Sequence, residues 1–193
     1  MKRGTWIVVT ALATTTLCLS SYASLTQGRV GQGSAGKGAE LFRPIASVLQ
    51  SPRCLNCHPR GDRPTQGDDR HTHLMNVQRG ADGGGMPAMR CSTCHQAHNT
   101  EALGIPGAPG WHLAPASMGW VNLGVGDLCR TLLDRRKNGG RSVADLVKHM
   151  TGGDALVMYA WNPGGQRTPP PLSVDALKDA VDAWAAAGAP CPK

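Results

Sequence analysis

The chain is 193 residues long, carries a formal net charge of +7, and is 40% hydrophobic but only 4% aromatic, with a single Phe. That length fits one domain or two small ones, and the lack of sustained periodicity excludes a repeat array or a long coiled coil. Gly (25) and Pro (14) demand long loops, while seven Cys and seven His exceed what side-chain packing explains, so something other than side chains is expected to fill the middle.

Lys2 and Arg3 open the chain, Trp6 to Leu19 is an uncharged, mostly apolar run, and Ser21-Tyr22-Ala23 supplies small residues at a cleavage position. This order predicts an export signal over residues 1–23, cut after Ala23. The run falls short of the roughly 20 residues of a spanning helix, which favours a removable signal over a retained anchor. Cys18 would suit a lipoprotein, but Leu17 before it is a poor fit. Cleavage would leave 170 residues with a net charge of +5 and no segment able to span a membrane. The predicted location is the periplasm, where thiols pair or are consumed by chemistry.

Residues 24–38 read as a flexible Gly-rich lead-in and residues 39–193 as one domain. From Ala39 to Gln50, Leu41, Phe42, Ile45, Val48 and Leu49 share one helical face. Pro52 is expected to end that helix. Cys54-Leu55-Asn56-Cys57-His58 follows, and Cys91-Ser92-Thr93-Cys94-His95 repeats the pattern 37 residues on. C-x-x-C-H reads as covalent c-type haem attachment. Two thiols three positions apart on a tight turn can each add to one porphyrin vinyl group, and the adjoining His then aims a nitrogen at the iron. A Cys-x-x-Cys zinc site would leave both His residues coincidental. A thioredoxin-like pair would need an alternating strand–helix chain, which is absent. The cofactor prediction is therefore two covalently bound haem c, attached by Cys54, Cys57, Cys91 and Cys94, with His58 and His95 as proximal iron ligands.

Residues 60–90, 104–126 and 152–171 read as loops. Further helices are expected over Asp127 to Lys137, from a Ser142 cap with Asp145 in the capping-box position, and from a Ser173 cap to Gly188. No run alternates convincingly, so strands should be few. The predicted fold is all-α, a loop-rich, cytochrome c-like dihaem domain. Cys129 and Cys191 remain; a disulfide between them would close a loop of about 60 residues and contribute roughly 4 kcal/mol, the alternative being two buried thiols.

Sixth ligands are sought among His71, His73, His98, His112 and His149 and among Met75, Met86, Met89, Met118, Met150 and Met158. His98 lies three residues past His95, so its own haem is hard to reach from there, which leaves it as a candidate ligand to the other haem. His73, His149 and His112 lead for two positions, and the sequence leaves the choice of pair open.

The stretch Trp111-His112-Leu113-Ala114-Pro115, Asp127-Leu128-Cys129-Arg130, Asn138-Gly139-Gly140-Arg141, His149, Trp161-Asn162-Pro163-Gly164 and Trp184 through Gly188-Ala189-Pro190-Cys191-Pro192 resembles a family of exported dihaem cytochromes. Those are labelled as subunits of isoquinoline oxidoreductase-like molybdenum hydroxylases, and the resemblance runs from about Arg43 to the end. Pro169-Pro170-Pro171 to Trp184 also looks like the closing helix of class I-type cytochrome c modules. These commonly carry a Met just before the prolines. Thr168 stands here, which favours bis-His ligation.

Two one-electron sites suit a relay between a two-electron donor and a one-electron acceptor. The chain has no flavin, dinucleotide or molybdopterin module, so a separate donor oxidoreductase, such as a molybdenum hydroxylase, and an acceptor cytochrome or oxidase of the respiratory chain are expected partners. The expectation is an electron carrier rather than an enzyme. A peroxidase-like enzyme or a haem-based sensor, each with one open iron site, are the alternatives. Arg135-Arg136-Lys137 is either a solvated helix end or a docking patch for an acidic partner. Scattered charge gives no support to nucleic-acid binding.

Overall fold

The computed structural model describes residue 36 and residues 38–193. The expected export signal, and the lead-in apart from residues 36 and 38, lie outside the described residues. Among the described residues the α-helices include, in order, α1 (Phe42–Leu49), α2 (Pro52–Leu55), α3 (Val125–Leu133), α4 (Val143–Met150), α5 (Ala155–Met158) and α6 (Val174–Ala186). Between α2 and α3 lie two antiparallel hairpins, β1 (Thr65–Gln66) with β2 (His71–Thr72), and β3 (Gly85–Met86) with β4 (Met89–Arg90).

These hairpins overturn the all-α expectation. Each strand is two residues long, too short for any side-chain alternation to register in the sequence. Turn chemistry builds them instead. Gly67 at φ +74° and Arg70 at φ +55° adopt the left-handed conformation that reverses the chain between β1 and β2. The fold is loop-rich, with helices predominant; among the described residues the β content is the two short hairpins between the cysteine motifs and an isolated antiparallel bridge between Thr100 and Ile105.

Four helices make the core. Phe42, Ile45, Val48 and Leu49 of α1 pack with Leu128 and Leu132 of α3, Leu146 and Met150 of α4, and Leu177, Val181 and Trp184 of α6. Of the apolar face expected over Ala39 to Gln50, Phe42, Ile45, Val48 and Leu49 are buried and Leu41 is exposed. Trp184 is completely buried, with its ring centre 5.2 Å from that of Phe42 and its indole N–H donating to the Pro190 carbonyl at 2.9 Å. Cys129 and Cys191 form a disulfide that ties α3 to the C-terminal segment.

Helix ends follow local chemistry. Ser142 and Asp145 form a reciprocal capping box, and Ser173 accepts from the Ala176 amide. Three boundaries differ from expectation. Pro52 opens the short helix α2 rather than ending a helix, because a first-turn position needs no N–H. Helix α3 begins at Val125 and stops at Leu133 instead of running to Lys137. Asn138, 1% exposed, donates to the Leu132 carbonyl and so takes over one that a longer helix would use, and it donates also to the Arg141 carbonyl. The expected loop over 152–171 contains α5, capped by Asp154, whose carboxylate accepts from the Leu156 and Val157 amides. Arg135, Arg136 and Lys137 lie exposed in the turn after α3, with Arg136 beside Asp134. Among the described residues, no helix is long and apolar enough to cross a membrane.

Replacing Trp184 with Ala removes the largest fully buried side chain and leaves the Pro190 carbonyl without its donor. Denaturant unfolding of the disulfide-bonded protein should show a loss of about 3–5 kcal/mol, whereas Leu41→Ala should change stability by less than about 1 kcal/mol.

Candidate functional site

Both C-x-x-C-H segments adopt the same turn. In the first, the Cys57 and His58 amides donate to the Cys54 carbonyl, both at 3.1 Å. In the second, the Cys94 and His95 amides donate to the Cys91 carbonyl at 3.2 and 2.9 Å. In the first motif the two cysteines and the histidine line one cavity.

The two histidines are held alike by residues far away in sequence. His58 Nδ1–H donates to the Met118 carbonyl at 2.8 Å, and its ring stacks on Trp120 with centres 3.4 Å apart and planes 12° apart. His95 Nδ1–H donates to the Pro106 carbonyl at 2.7 Å, and its ring stacks on Trp111 at 4.1 Å and 1°. A carbonyl can only accept, so Nδ1 must carry the proton and Nε2 keeps its lone pair. A glycine follows each carbonyl. Gly119 and Gly107 lie so close to the backbone just past His58 and His95 that a Cβ would strike it; at Gly119 that Cβ would sit 2.9 Å from the Pro59 carbonyl oxygen.

Burial sets the charge state. It pushes His58 down to about 3, only partly opposed by the Met118 hydrogen bond, and His149 lowers it further. His95 is lowered by burial too, with His73 adding to the shift. Both rings are neutral at physiological pH and can offer Nε2 to a metal. Burial raises the Cys54 thiol to about 12 and the Cys57 thiol to about 11, so neither is a thiolate nucleophile or redox pair in this state.

The first motif opens onto a cavity of about 140 Å³, lined by Cys54, Cys57 and His58 together with side chains including His149, Met150 and Tyr159. His149 Nδ1 is 3.2 Å from Asp154 Oδ2, a carboxylate backing suited to a metal-ligating imidazole. Two buried donors on cavity-lining residues, Arg53 Nε and Trp120 Nε1, have no partner. A ligand with anionic or carbonyl oxygens would satisfy them.

At the second motif, the His73 ring centre lies 6.1 Å from that of His95, with the planes at 70°. One metal ion bound by two imidazole nitrogens at roughly 2 Å each holds the ring centres about 6 Å apart. His73 Nδ1–H donates to the Leu74 carbonyl at 2.8 Å, which leaves its Nε2 free as well.

The leading candidates thus separate. His73 stands at the second motif and His149 at the first. His112 is exposed, bonds the Gly110 carbonyl through Nδ1, and lines both the first cavity and a neighbouring one beside His95. His71 is exposed and pairs with Asp69. Met75, Met86 and Met89 are exposed, and Met118 and Met150 are packed in the core. Thr168 donates its hydroxyl to Asp68 at 2.6 Å. Among the described residues, no three His, Cys, Asp or Glu side chains converge as a metal-ion site. Sequence reading missed Trp120, the Met118 and Pro106 carbonyls, Arg53 and Asp154. The only shared signal is a glycine after each carbonyl, which is weak among 25 glycines. Comparison with protein-family models, curated proteins and solved structures found no match.

A histidine held neutral when folded stabilises the fold fully above its unfolded value near 6.5 and progressively less as pH falls toward the folded value. For the haem-free, disulfide-bonded chain, urea unfolding should show stability falling between pH 7.5 and 5, with His58 contributing on the order of 1–2 kcal/mol. The decline should be shallower in His58→Phe.

Proposed function

We propose that this chain is an exported, periplasmic dihaem c-type cytochrome that carries electrons from a donor oxidoreductase toward the respiratory chain. The observation that carries this reading is the duplicated histidine arrangement. Each C-x-x-C-H histidine is neutral, presents Nε2, and has a second histidine from elsewhere in the chain at its site: His149 near His58, and His73 at 6.1 Å from His95.

Cys54 and Cys57 would hold one haem c and Cys91 and Cys94 the other, with His58 and His149 as the candidate iron ligands at the first site and His95 and His73 at the second. When bound, each haem supplies one-electron iron chemistry, at a potential set by axial ligands and burial. The chain's own residues do the rest. The Met118 and Pro106 carbonyls fix the ligand tautomers, and Asp154 backs His149. Arg53 and Trp120 offer hydrogen bonds to oxygens at the first site. At the second, Leu74, Met75, Met86 and Met89 leave apolar surface exposed on segments flanking His73 and Cys91, suited to meeting a porphyrin face.

With a histidine for each sixth position, the reading is an electron carrier rather than an open-iron enzyme. The donor is a separate oxidoreductase, such as a molybdenum hydroxylase, and the acceptor a cytochrome or oxidase. A basic carrier docking on acidic partners should bind them more weakly as salt rises.

Mass spectrometry of the exported protein should find the added mass of two haems, and of one after Cys91→Ala/Cys94→Ala. Electron paramagnetic resonance of the oxidised protein should show two low-spin irons. His149→Ala and His73→Ala should each turn a different one high-spin. A chain without added mass, or two irons unaffected by both substitutions, would refute the assignment.

A further inference from the structure

The β1–β2 hairpin and the turn after it carry His73 to the second site, yet almost nothing apolar holds them in place. From residue 61 to residue 78, Pro64 alone is buried. Two strands of two residues have no independent stability. The direction of this segment must therefore come from polar ties, and several of them come from the first motif.

Asn56 is the third residue of Cys54-Leu55-Asn56-Cys57-His58 and is only 9% exposed. Its Nδ2 donates to the Gly67 carbonyl at 3.0 Å, its Oδ1 accepts from the Thr65 hydroxyl at 2.7 Å, and its carbonyl accepts from the Thr65 amide at 3.3 Å. Arg53, directly before Cys54, donates to the Gly67 carbonyl at 3.0 Å and to Asp68 Oδ1 at 2.5 Å. Asp68 in turn accepts from the Thr168 amide and hydroxyl at 3.0 and 2.6 Å. From this anchored strand, the Pro64 carbonyl accepts from the His73 amide at 3.0 Å, and Gln66 Oε1 accepts from the Leu74 amide at 3.1 Å.

We propose that Asn56, within the first cysteine motif, is a positioning residue for the second site, where it keeps His73 opposite His95 through the β1–β2 hairpin. Arg53 supports it through Gly67 and Asp68. The first motif thus does two tasks: its cysteines and histidine serve their own site, and its intervening residue orients the distal ligand of the other. The inference rests on the dihaem reading, and it adds a dependence of one site on the other that two independent haem modules would lack.

The test uses the full exported holoprotein. Asn56→Leu keeps the side-chain size but removes both side-chain hydrogen bonds. Thr65→Val lies outside the motif and removes the hydroxyl alone. Haem count by mass spectrometry comes first, followed by electron paramagnetic resonance. Both variants should retain two haems. In Asn56→Leu, at least half of the low-spin signal that His73→Ala abolishes should become high-spin, while the signal that His149→Ala abolishes stays unchanged. Thr65→Val should move the same signal by a smaller fraction, and Asn56→Leu should add nothing in a His73→Ala background. If Asn56→Leu loses the first haem, Thr65→Val alone decides. Unchanged low-spin signals in the deciding variant, or loss of the His149-dependent signal instead, would overturn the proposal. A parent protein lacking two haems, or one whose irons ignore His73→Ala, would overturn the dihaem or ligand reading first, and the inference with it.

Discussion

A partly buried imidazole that disfavours a charge governs this molecule. Once His58 and His95 are shielded from water, the neutral form wins, and the only remaining question is which nitrogen keeps the proton. A backbone carbonyl answers it by accepting from Nδ1, and a tryptophan ring stacked on each imidazole restricts its rotation. The carbonyls can approach because glycines follow them where any side chain would meet the chain beyond each motif. The loops around 106 and 118, which look featureless in sequence, are therefore fixed by what two histidines need.

The sites share this arrangement and differ in what surrounds it. The first sits against the helical core, where Leu132, Leu146 and Met150 line its cavity and Asp154 backs His149. The second lies among hairpins and loops, with Cys94 exposed and Leu74 and Met75 in the open. On the dihaem reading, such unequal burial gives the two irons unequal potentials. The more exposed site is then the natural point of contact with a partner, and the first is insulated by the core.

The longer helices were legible because their signals are local, whereas the four-residue helices α2 and α5 were not. Ser142 with Asp145, the Ser173 cap and the apolar face of α1 each lie within a few turns of chain. The cysteine motifs were legible for the same reason. The hairpins were not, since two-residue strands carry no period, and their shape comes from Gly67, Arg70 and ties to Arg53 and Asn56. The choice among His73, His112 and His149 was also out of reach, because it depends on how three separate segments meet. Trp120 lies 62 residues beyond His58, whereas Trp111 lies 16 beyond His95. The same contact is thus made at unrelated spacings, and no sequence rule would pair them.

The contrast between core and hairpins bears on why attachment should be covalent. The four packed helices and the Cys129–Cys191 disulfide supply stability that needs no ligand. The segment around the second motif has little apolar burial of its own, and burial alone would hold a cofactor there weakly. On the dihaem reading, thioether bonds would remove that dependence, since a linked group cannot dissociate when the loop opens. An exposed site could then stay exposed, as a docking electron carrier would require, while the hydrogen-bonded link through Asn56 would keep the proposed outer ligand in register with the rigid part of the fold.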